Sequence, residues 1–382
     1  MLARPPVVVV APNSFKGSVS ATAAAAAISK GLERVWTDAK LRPCPMADGG
    51  EGTLEVVLSR GGRRGARRVS GASGTPLDAA FGLIDGDTTA VIEIAQVVGL
   101  TDATGTAVPV ERRSTRGLGE LIKQLLDAGV RTFMVGLGGS STNDGGAGLL
   151  VGLGLKLLDA KGRDVEPTPA GFASLAHVDA STLDVRLAST HITIMSDVNN
   201  PLCGERGATA IFGPQKGVRP ERAADIDAAI ARFATLAEGA IGRDAKNRAG
   251  AGAAGGLGFA LQLLGGEMRS GADVVAELVG LDAVLDEADW LITGEGRTDR
   301  QTLLGKAPLV AARHAAAKGV PATLISGSID REALPELAQH FTSCHALSFG
   351  PATIEECVAN ASALLADSAE QLARLFQARA TE

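Results

Sequence analysis

Five loops combine glycine with carboxylate, amide, hydroxyl or lysine side chains, and they hold most of the residues whose types and spacing could do chemistry. The loops cover residues 13–18, 48–53, 138–146, 196–204 with 212–217, and 294–306. Glycine lets a ligand approach the backbone, carboxylate oxygens bind hard cations such as Mg²⁺, and lysine neutralises phosphate. Without a zinc or redox motif, this combination indicates phosphoryl transfer with Mg²⁺.

The loop at residues 138–146 carries the main phosphate-binding signal. It follows a predicted apolar strand at residues 133–137 and precedes a helical run, so its N–H groups are expected to form an anion-binding nest at a helix N-terminus. A second glycine-rich loop spells G-x-G-x-x-G at residues 250–255, but no predicted strand precedes it, and no Walker A loop is present. The candidates for the ATP phosphates are Gly138, Gly139, Ser140, Ser141, Asn143, Gly255 and Gly256.

Acidic residues lie in several of these loops, either just after a predicted strand or between glycines. Asp197 ends a predicted strand at residues 192–195, where it is placed to accept a hydroxyl proton or to bind a metal. A structural role would also account for two of these residues. Asp197 could form an Asx turn, and Glu51 could lie in the first turn of a helix, where its charge suits the helix dipole. The catalytic candidates are Asp197, Lys16 and Asp299, and the metal-binding candidates are Asp48, Glu51 and Glu295.

The remaining polar residues of these loops are candidates for the substrate. Lys16 is assigned to the transferring phosphate. Arg297 and Lys216 are further cations of these loops, and arginine could bind an anionic group of the substrate with two hydrogen bonds. A helix cap followed by a solvated lysine would also explain residues 13–18. The substrate-binding candidates are Asn13, Ser14, Asn199, Lys216 and Arg297.

Parallel α/β elements at both chain ends would position these loops. A predicted strand at residues 7–11 leads through a loop to a helix that Ser18 or Ser20 caps and that runs towards Arg34. Strands at 290–293 and 322–326 and helices at 307–318 and 354–379 repeat this pattern near the other end. Between them lie short predicted strands at 67–70, 79–84 and 90–94, and a further pair around a turn at 159–162.

We therefore predict an α/β protein of two domains. Residues 1–64 and 262–382 are expected to form a Rossmann-like domain with a parallel sheet, and residues 65–261 an inserted mixed α/β domain.

Composition excludes several other classes. The 382 residues carry a net charge of −6, with no basic block, 10 Phe, 2 Trp and no Tyr, which argues against a nucleic-acid partner. No run approaches the roughly 18 apolar residues of a membrane span, so no membrane partner is expected. Four scattered cysteines indicate neither a zinc site nor a disulfide framework, and a cytoplasmic location is expected. The oligomeric state is left open.

The five loops together resemble the bacterial glycerate kinase family, type-1 group. The resemblance rests on residues 11–18, 48–53, 138–146, 196–204 with 212–217, and 293–306, which occur in the family's order and span most of the chain. It implies ATP-dependent phosphorylation of D-glycerate, most often at the 2-hydroxyl, by a two-domain α/β protein with its active site in the cleft between the domains. The alternatives are another small hydroxy-acid kinase or a catalytically silent sensor of a nucleotide or phosphate ligand.

Overall fold

The computed structural model describes residues 4–379. The strands are β1 Val7–Pro12, β2 Lys40–Pro43, β3 Arg63–Ser70, β4 Pro76–Ile84, β5 Thr89–Glu93, β6 Thr132–Gly136, β7 Lys156–Leu158, β8 His177–Asp179, β9 His191–Met195, β10 Glu267–Arg269, β11 Trp290–Thr298, β12 Ala322–Ile329 and β13 Ser343–Ala346. The α-helices are α1 Ala21–Glu33, α2 Thr53–Leu58, α3 Ala95–Val98, α4 Ala103–Thr106, α5 Arg116–Asp127, α6 Ala147–Gly152, α7 Ala208–Phe212, α8 Pro220–Ile241, α9 Leu257–Leu263, α10 Gly271–Leu278, α11 Leu281–Val284, α12 Ala307–Ala317, α13 Leu334–Leu337, α14 Ile354–Ala359 and α15 Ala361–Arg379. Short 3₁₀ turns occupy Val110–Arg112, Gly171–Ser174, Val185–Ser189, Pro214–Lys216, Ala253–Gly256, Thr302–Leu304 and Arg331–Ala333.

The chain packs as two compact units. The first unit runs up to Asp48, adds Glu55–Arg60 and resumes at Ser270; the second consists of Gly49–Leu54 and Gly61–Arg269. By this packing, the short segment Gly49–Leu54 groups with the second unit, whereas the sequence-based boundaries placed it in the first domain. Within residues 4–379, no helix has both the length and the apolar character required to cross a membrane.

The first unit is built on a parallel sheet in the order β13-β12-β11-β1-β2. The valines of β1 are buried on both faces, as their unbroken run predicts. Helices α1 and α15 pack on one face around Ile28 and Leu365, and helices α10 and α12 pack on the other around Val275 and Val310. The strand order reverses between β1 and β11, and in open sheets of this kind a ligand crevice opens beyond the carboxyl ends at that point.

Two helix predictions in this unit have different outcomes. Ser20 is confirmed as the N-cap of α1, since its hydroxyl accepts the Ala23 N–H at 3.2 Å. The single helix predicted over residues 354–379 is wrong, because α14 ends before Asn360 and α15 begins after it. The Asn360 side chain donates to the Glu356 carbonyl at 2.9 Å, which is a local bond that competes with helix continuation.

The second unit is built on a mixed sheet in the order β10-β9-β6-β5-β4-β3. Strands β10, β9, β6 and β5 are parallel neighbours, whereas β5, β4 and β3 form an antiparallel meander. The four parallel strands therefore present their carboxyl ends at one edge. A core centred on Phe81, Phe133 and Phe233 fills this unit.

The strand pair predicted around residues 159–162 is wrong in its partner. Strand β7 pairs antiparallel with β8, 20 residues further along, and only an isolated bridge joins Leu158 to Asp164 across the turn. The Asp159 side chain accepts the N–H groups of Lys161 and Arg163, and its backbone N–H donates to the Arg163 carbonyl at 2.9 Å, so both side-chain and backbone bonds close the turn.

Candidate active site

Asn13 connects three strand ends of the first unit. Its N–H donates to the Gly294 carbonyl at 2.8 Å, at the end of the apolar part of β11, and its Nδ2 donates to Asp48 Oδ2 at 3.4 Å, beyond β2. Its Oδ1 also accepts the Ser14 N–H at 2.7 Å. The side chain is buried. Asn13 therefore fixes the loop after β1 at the point where the strand order reverses.

Glu295 is a buried carboxylate in β11, 5% exposed. Its Oε1 accepts hydrogen bonds from Thr302 Oγ1 at 2.5 Å and Thr298 Oγ1 at 3.1 Å. Burial raises the pKa of Glu295, the charge of Lys306 lowers it, and the charge of Asp48 raises it further. Two predicted metal ligands and a lysine thus share one electrostatic environment. Thr298 and Thr302 were not among the predicted site residues, because their positions in the sequence do not distinguish them from other threonines.

The other predicted residues of this unit are more exposed. Arg297 has a 76% exposed side chain, with its Nε 3.8 Å from Asp299 Oδ2. Asp299 also accepts the Gln301 N–H at 2.8 Å, and Lys16 is exposed. A Cβ at Gly296 would lie 3.2 Å from the Lys16 nitrogen, so glycine lets the loop after β1 lie against β11.

In the second unit, the segment that begins at Gly49 lies against the loop after β6. A Cβ at Gly136 would fall 2.3 Å from the Gly49 carbonyl oxygen, and one at Gly138 would fall 2.5 Å from the Gly50 Cα. The Gly138 N–H points to the Gly49 carbonyl at 3.4 Å. The glycines that the sequence analysis assigned to close ligand approach therefore also serve close approach between two loops.

The two predicted phosphate-binding loops are in contact. The Gly145 N–H donates to the Gly255 carbonyl at 2.9 Å. A Cβ at Gly255, where φ is +69°, would fall 2.1 Å from the Thr142 carbonyl oxygen. The structure thus brings together Gly138, Gly139, Ser140, Ser141 and Asn143 with Gly255 and Gly256 in one unit.

Asp144 corrects one part of the phosphate prediction. Its carboxylate is fully buried and accepts the N–H groups of Gly146 and Gly148 at 3.0 and 3.2 Å, at the start of α6. The Thr115 N–H and hydroxyl also donate to it, at 2.7 and 2.8 Å. Burial raises the pKa of Asp144 and these bonds oppose that rise. The nest expected at this helix N-terminus is therefore occupied by the chain's own carboxylate, and residues 138–143 are left for a ligand.

Lys216 is buried and contacts the loop at residues 138–143. Its Nζ donates to Ser140 Oγ and to the Thr142 carbonyl, both at 2.8 Å. Burial lowers its pKa to about 7. Arg113, which the sequence analysis missed, is also buried and donates to the carbonyls of Ser141 and Lys216 at 3.0 Å. The hydrogen bonds of Lys216 and Arg113 therefore fix the backbone of the loop at residues 140–142.

Three buried polar atoms at or near these loops lack a hydrogen-bond partner among the described residues. They are Thr142 Oγ1, Asn143 Oδ1 and Thr53 Oγ1. A buried polar atom left without a partner costs about 1–3 kcal/mol. Two of the three lie in the predicted phosphate loop, where a ligand would satisfy them.

Glu93 is a further buried carboxylate, at the end of β5, that the sequence analysis did not identify. It accepts the Leu54 N–H at 2.6 Å and the Gln96 amide at 3.2 Å. Burial raises its pKa, and the charge of the exposed Glu51 adds to this rise. Glu93 therefore anchors the start of α2 to the second sheet.

Asp197 and Asn199 lie just beyond β9 and are exposed. Strand β9 is the neighbour of β6, so these residues and the phosphate loop leave the same edge of the second sheet. Ser196 Oγ accepts the Val198 N–H at 3.3 Å, and this bond orders the turn that carries Asp197. Across residues 4–379, no three or more His, Cys, Asp or Glu side chains converge as a ready-made metal site.

Known proteins match the chain over almost its whole length. The sequence model of the glycerate kinase family matches residues 8–377. Glycerate kinase of Bacillus subtilis is 40% identical over 96% of both chains, and glycerate 2-kinase of Escherichia coli is 40% identical over 84% of this chain and 85% of its own. A crystal structure of a proposed glycerate kinase 2 from Salmonella typhimurium LT2 superposes with a TM-score of 0.86 at 38% identity, covering 99% of this chain and 100% of that one. The chain belongs to the glycerate kinase family and is an ATP-dependent kinase.

Proposed function

We propose that this protein phosphorylates D-glycerate with ATP, and that the product is 2-phosphoglycerate. The observation that carries the proposal is the loop at residues 138–143. Lys216 and Arg113 donate hydrogen bonds to it, and its Thr142 Oγ1 and Asn143 Oδ1 are buried without a hydrogen-bond partner among the described residues. Family membership adds support for glycerate, and the Escherichia coli relative is named a glycerate 2-kinase.

The proposed reaction is transfer of the γ-phosphoryl group. The 2-hydroxyl oxygen of glycerate forms a bond to the γ-phosphorus, the bond from that phosphorus to the β,γ-bridging oxygen breaks, and ADP leaves. The hydroxyl proton passes to a carboxylate and then to solvent. Because such transfer depends mainly on positioning and charge neutralisation, the protein needs a phosphate cradle, cations and a proton acceptor.

In this proposal, the candidate residues have separate roles. Ser140, Ser141 and Asn143 bind ATP phosphates, while Gly255 and Gly256 keep the adjoining backbone close. The buried Lys216 positions the loop, a role that its contacts with Ser140 and Thr142 favour over binding of glycerate. Asn13, Ser14, Asn199 and Arg297 remain the candidates for binding glycerate, and Lys16 for the transferring phosphate.

Mg²⁺ would be held by few protein ligands. The charge of Asp48 raises the pKa of Glu295, and a divalent cation would relieve the repulsion between the two carboxylates. Mg²⁺ in kinases commonly takes one or two carboxylates together with substrate phosphates, so two carboxylates are a sufficient donor set. Once bound, the cation would neutralise phosphate charge, and Glu51 is a further proposed ligand.

The proposal is tested by measuring ADP release with Mg-ATP and D-glycerate, with the product resolved by ³¹P NMR. A single 2-phosphoglycerate signal is expected. If 3-phosphoglycerate appears instead, the assigned hydroxyl is wrong. Turnover only with other hydroxy acids would identify a different small-acid kinase, and ATP binding without turnover would indicate a sensor.

Asp197 is the proposed proton acceptor. Replacing it in Asp197→Asn should lower kcat about 100-fold or more, since general-base catalysis contributes about 10²–10⁴. The far-UV circular dichroism and KM for ATP should not change. The exposed Asp164, changed to Asn, is the matched control. Turnover like that of the wild type in Asp197→Asn would remove this residue from the chemistry.

A further inference from the structure

A groove of about 590 Å³ lies within the second unit, and its walls are three chain segments. Residues 109–112, 169–173 and 219–232 line it. Four arginines stand around it, and we call this feature the arginine groove; its arginines are Arg112, Arg219, Arg222 and Arg232. Two carboxylates, Glu111 and Asp225, also line it, so positive charge predominates.

The arginines are weakly engaged with the protein itself. Arg222 Nε lies 3.9 Å from Asp225 Oδ2, and Arg219 Nε lies 3.9 Å from Glu221 Oε1, both too long for a good hydrogen bond. Arg112 and Arg232 form no ion pair with any residue in the described part of the chain. Four like charges around one cavity repel each other in an otherwise acidic protein. This arrangement is favourable once an anion is bound.

The floor of the groove is apolar and tightly packed. Phe172 and Ile226 are 1% and 3% exposed, and Phe172 stacks on Phe233 at a centroid distance of 5.0 Å. A ligand that fits both the rim and the floor carries at least two negative charges and an apolar or planar body. Guanidinium groups bind phosphate with paired hydrogen bonds. We propose that the arginine groove binds a phosphorylated small molecule at a site separate from the one assigned to the ATP phosphates.

Two walls of the groove continue into the residues that hold the phosphate loop. Arg112 is followed by Arg113, whose guanidinium donates to the carbonyls of Ser141 and Lys216. Arg219 follows Lys216 by three residues, and the Lys216 ammonium holds Ser140 and Thr142. A ligand that draws Arg112 and Arg219 together therefore acts on both supports of the loop. Its binding changes the affinity for ATP.

Calorimetric titration with phenyl phosphate tests the site directly. The full-length protein is saturated with Mg²⁺ and a non-hydrolysable ATP analogue, so that the ATP site is already occupied. One equivalent of phenyl phosphate should bind, and phenol and inorganic phosphate should each bind at least tenfold more weakly. The double variant Arg112→Gln/Arg232→Gln should raise the Kd for phenyl phosphate at least tenfold. The double variant Arg313→Gln/Arg331→Gln, which changes two exposed arginines of the first unit, is the charge-matched control.

A second variant distinguishes a direct loss of phenyl phosphate binding from a loss that is caused by misfolding. Ala229→Glu adds a carboxylate to the groove wall and should weaken binding equally. The Tm of both variants should stay within about 2 °C of the wild type, as is usual for surface substitutions. In steady-state assays, phenyl phosphate should change the KM for ATP at least twofold in the wild type and not in the double variant. Absence of binding, or binding that neither variant weakens, would overturn the site. An unchanged KM would overturn the coupling.

Discussion

Asp144 and Glu295 are both buried carboxylates whose pKa burial raises, yet they have different partners. Asp144 accepts backbone N–H groups from Thr115, Gly146 and Gly148. Glu295 accepts hydroxyl groups from Thr298 and Thr302 and lies within the electrostatic influence of Lys306 and Asp48. The direction of a backbone N–H is fixed by the fold, whereas the hydrogen of a threonine hydroxyl can rotate towards another acceptor. We infer that Asp144 supports the fold, whereas the Glu295 carboxylate is available to a ligand.

The largest expected effect is that of Asp144→Ala. The change leaves several buried N–H groups without an acceptor, so the free energy of unfolding of the second unit should fall by about 3–5 kcal/mol. Urea denaturation followed by circular dichroism measures this loss. The exposed Asp78, changed to Ala, is the control and should cost less than about 0.5 kcal/mol. A small loss in Asp144→Ala would remove the distinction between the two carboxylates.

Glu295→Gln should change activity and leave stability almost unchanged. The amide oxygen still accepts the Thr302 hydroxyl, but the negative charge proposed to hold Mg²⁺ is lost. We expect kcat/KM to fall about 100-fold, with the free energy of unfolding within about 1 kcal/mol of the wild type. Exposed Glu336, changed to Gln, should behave like the wild type. Loss of stability without loss of turnover would make Glu295 a second structural carboxylate.

Lys216 predicts a pH dependence of stability. Its pKa is about 7 in the fold and 10.5 when unperturbed. Between these values the unfolded chain binds a proton that the folded chain has released, so the free energy of unfolding rises with pH through this window. Lys216→Met lacks this contribution, and the difference between wild type and variant should change by at most about 1.4 kcal/mol per pH unit. Urea midpoints measured from pH 6 to 10 check this, and a constant difference would contradict it.

Thr142→Val should have the smallest effect on stability. The Thr142 hydroxyl is buried and has no hydrogen-bond partner within residues 4–379, so an apolar replacement of the same shape should be neutral or should stabilise by up to about 1 kcal/mol. If the hydroxyl binds an ATP phosphate, KM for ATP should rise about tenfold to a hundredfold, since a hydrogen bond to a charged group contributes about 1.5–3 kcal/mol. Destabilisation with unchanged KM would show that the hydroxyl serves the fold.

Local features of the sequence predicted much of the fold. The valine run of β1, the Ser20 cap and the glycine-rich loops each depend on neighbouring residues, and the two-domain α/β class followed from them. The pairing of β7 with β8 and the break at Asn360 were missed, because a strand partner 20 residues away and a single competing side-chain bond leave little trace in the pattern.

The site was predicted by residue type but not by role. Asp144 had a signal, an acid just before two glycines and a helix, yet its bonds to Thr115 join residues 29 apart in the chain. Arg113 and Glu93 gave no signal, because a buried ionisable residue is recognised by its surroundings and not by its neighbours in sequence. Whether a polar residue holds a loop or binds a ligand is decided by such long-range contacts.

The position of β1 in the first sheet has a consequence for synthesis on the ribosome. Strand β1 lies between β2 and β11, and Thr293 Oγ1 donates to the Ala11 carbonyl across 282 residues of chain. At about 5–20 residues per second, β11 is made roughly 15–60 s after β1. The apolar first strand must wait that long without its central neighbour, while the whole of the second unit is synthesised. An apolar strand is therefore exposed during synthesis, and the yield of the protein in the cell should depend on chaperones that bind this segment.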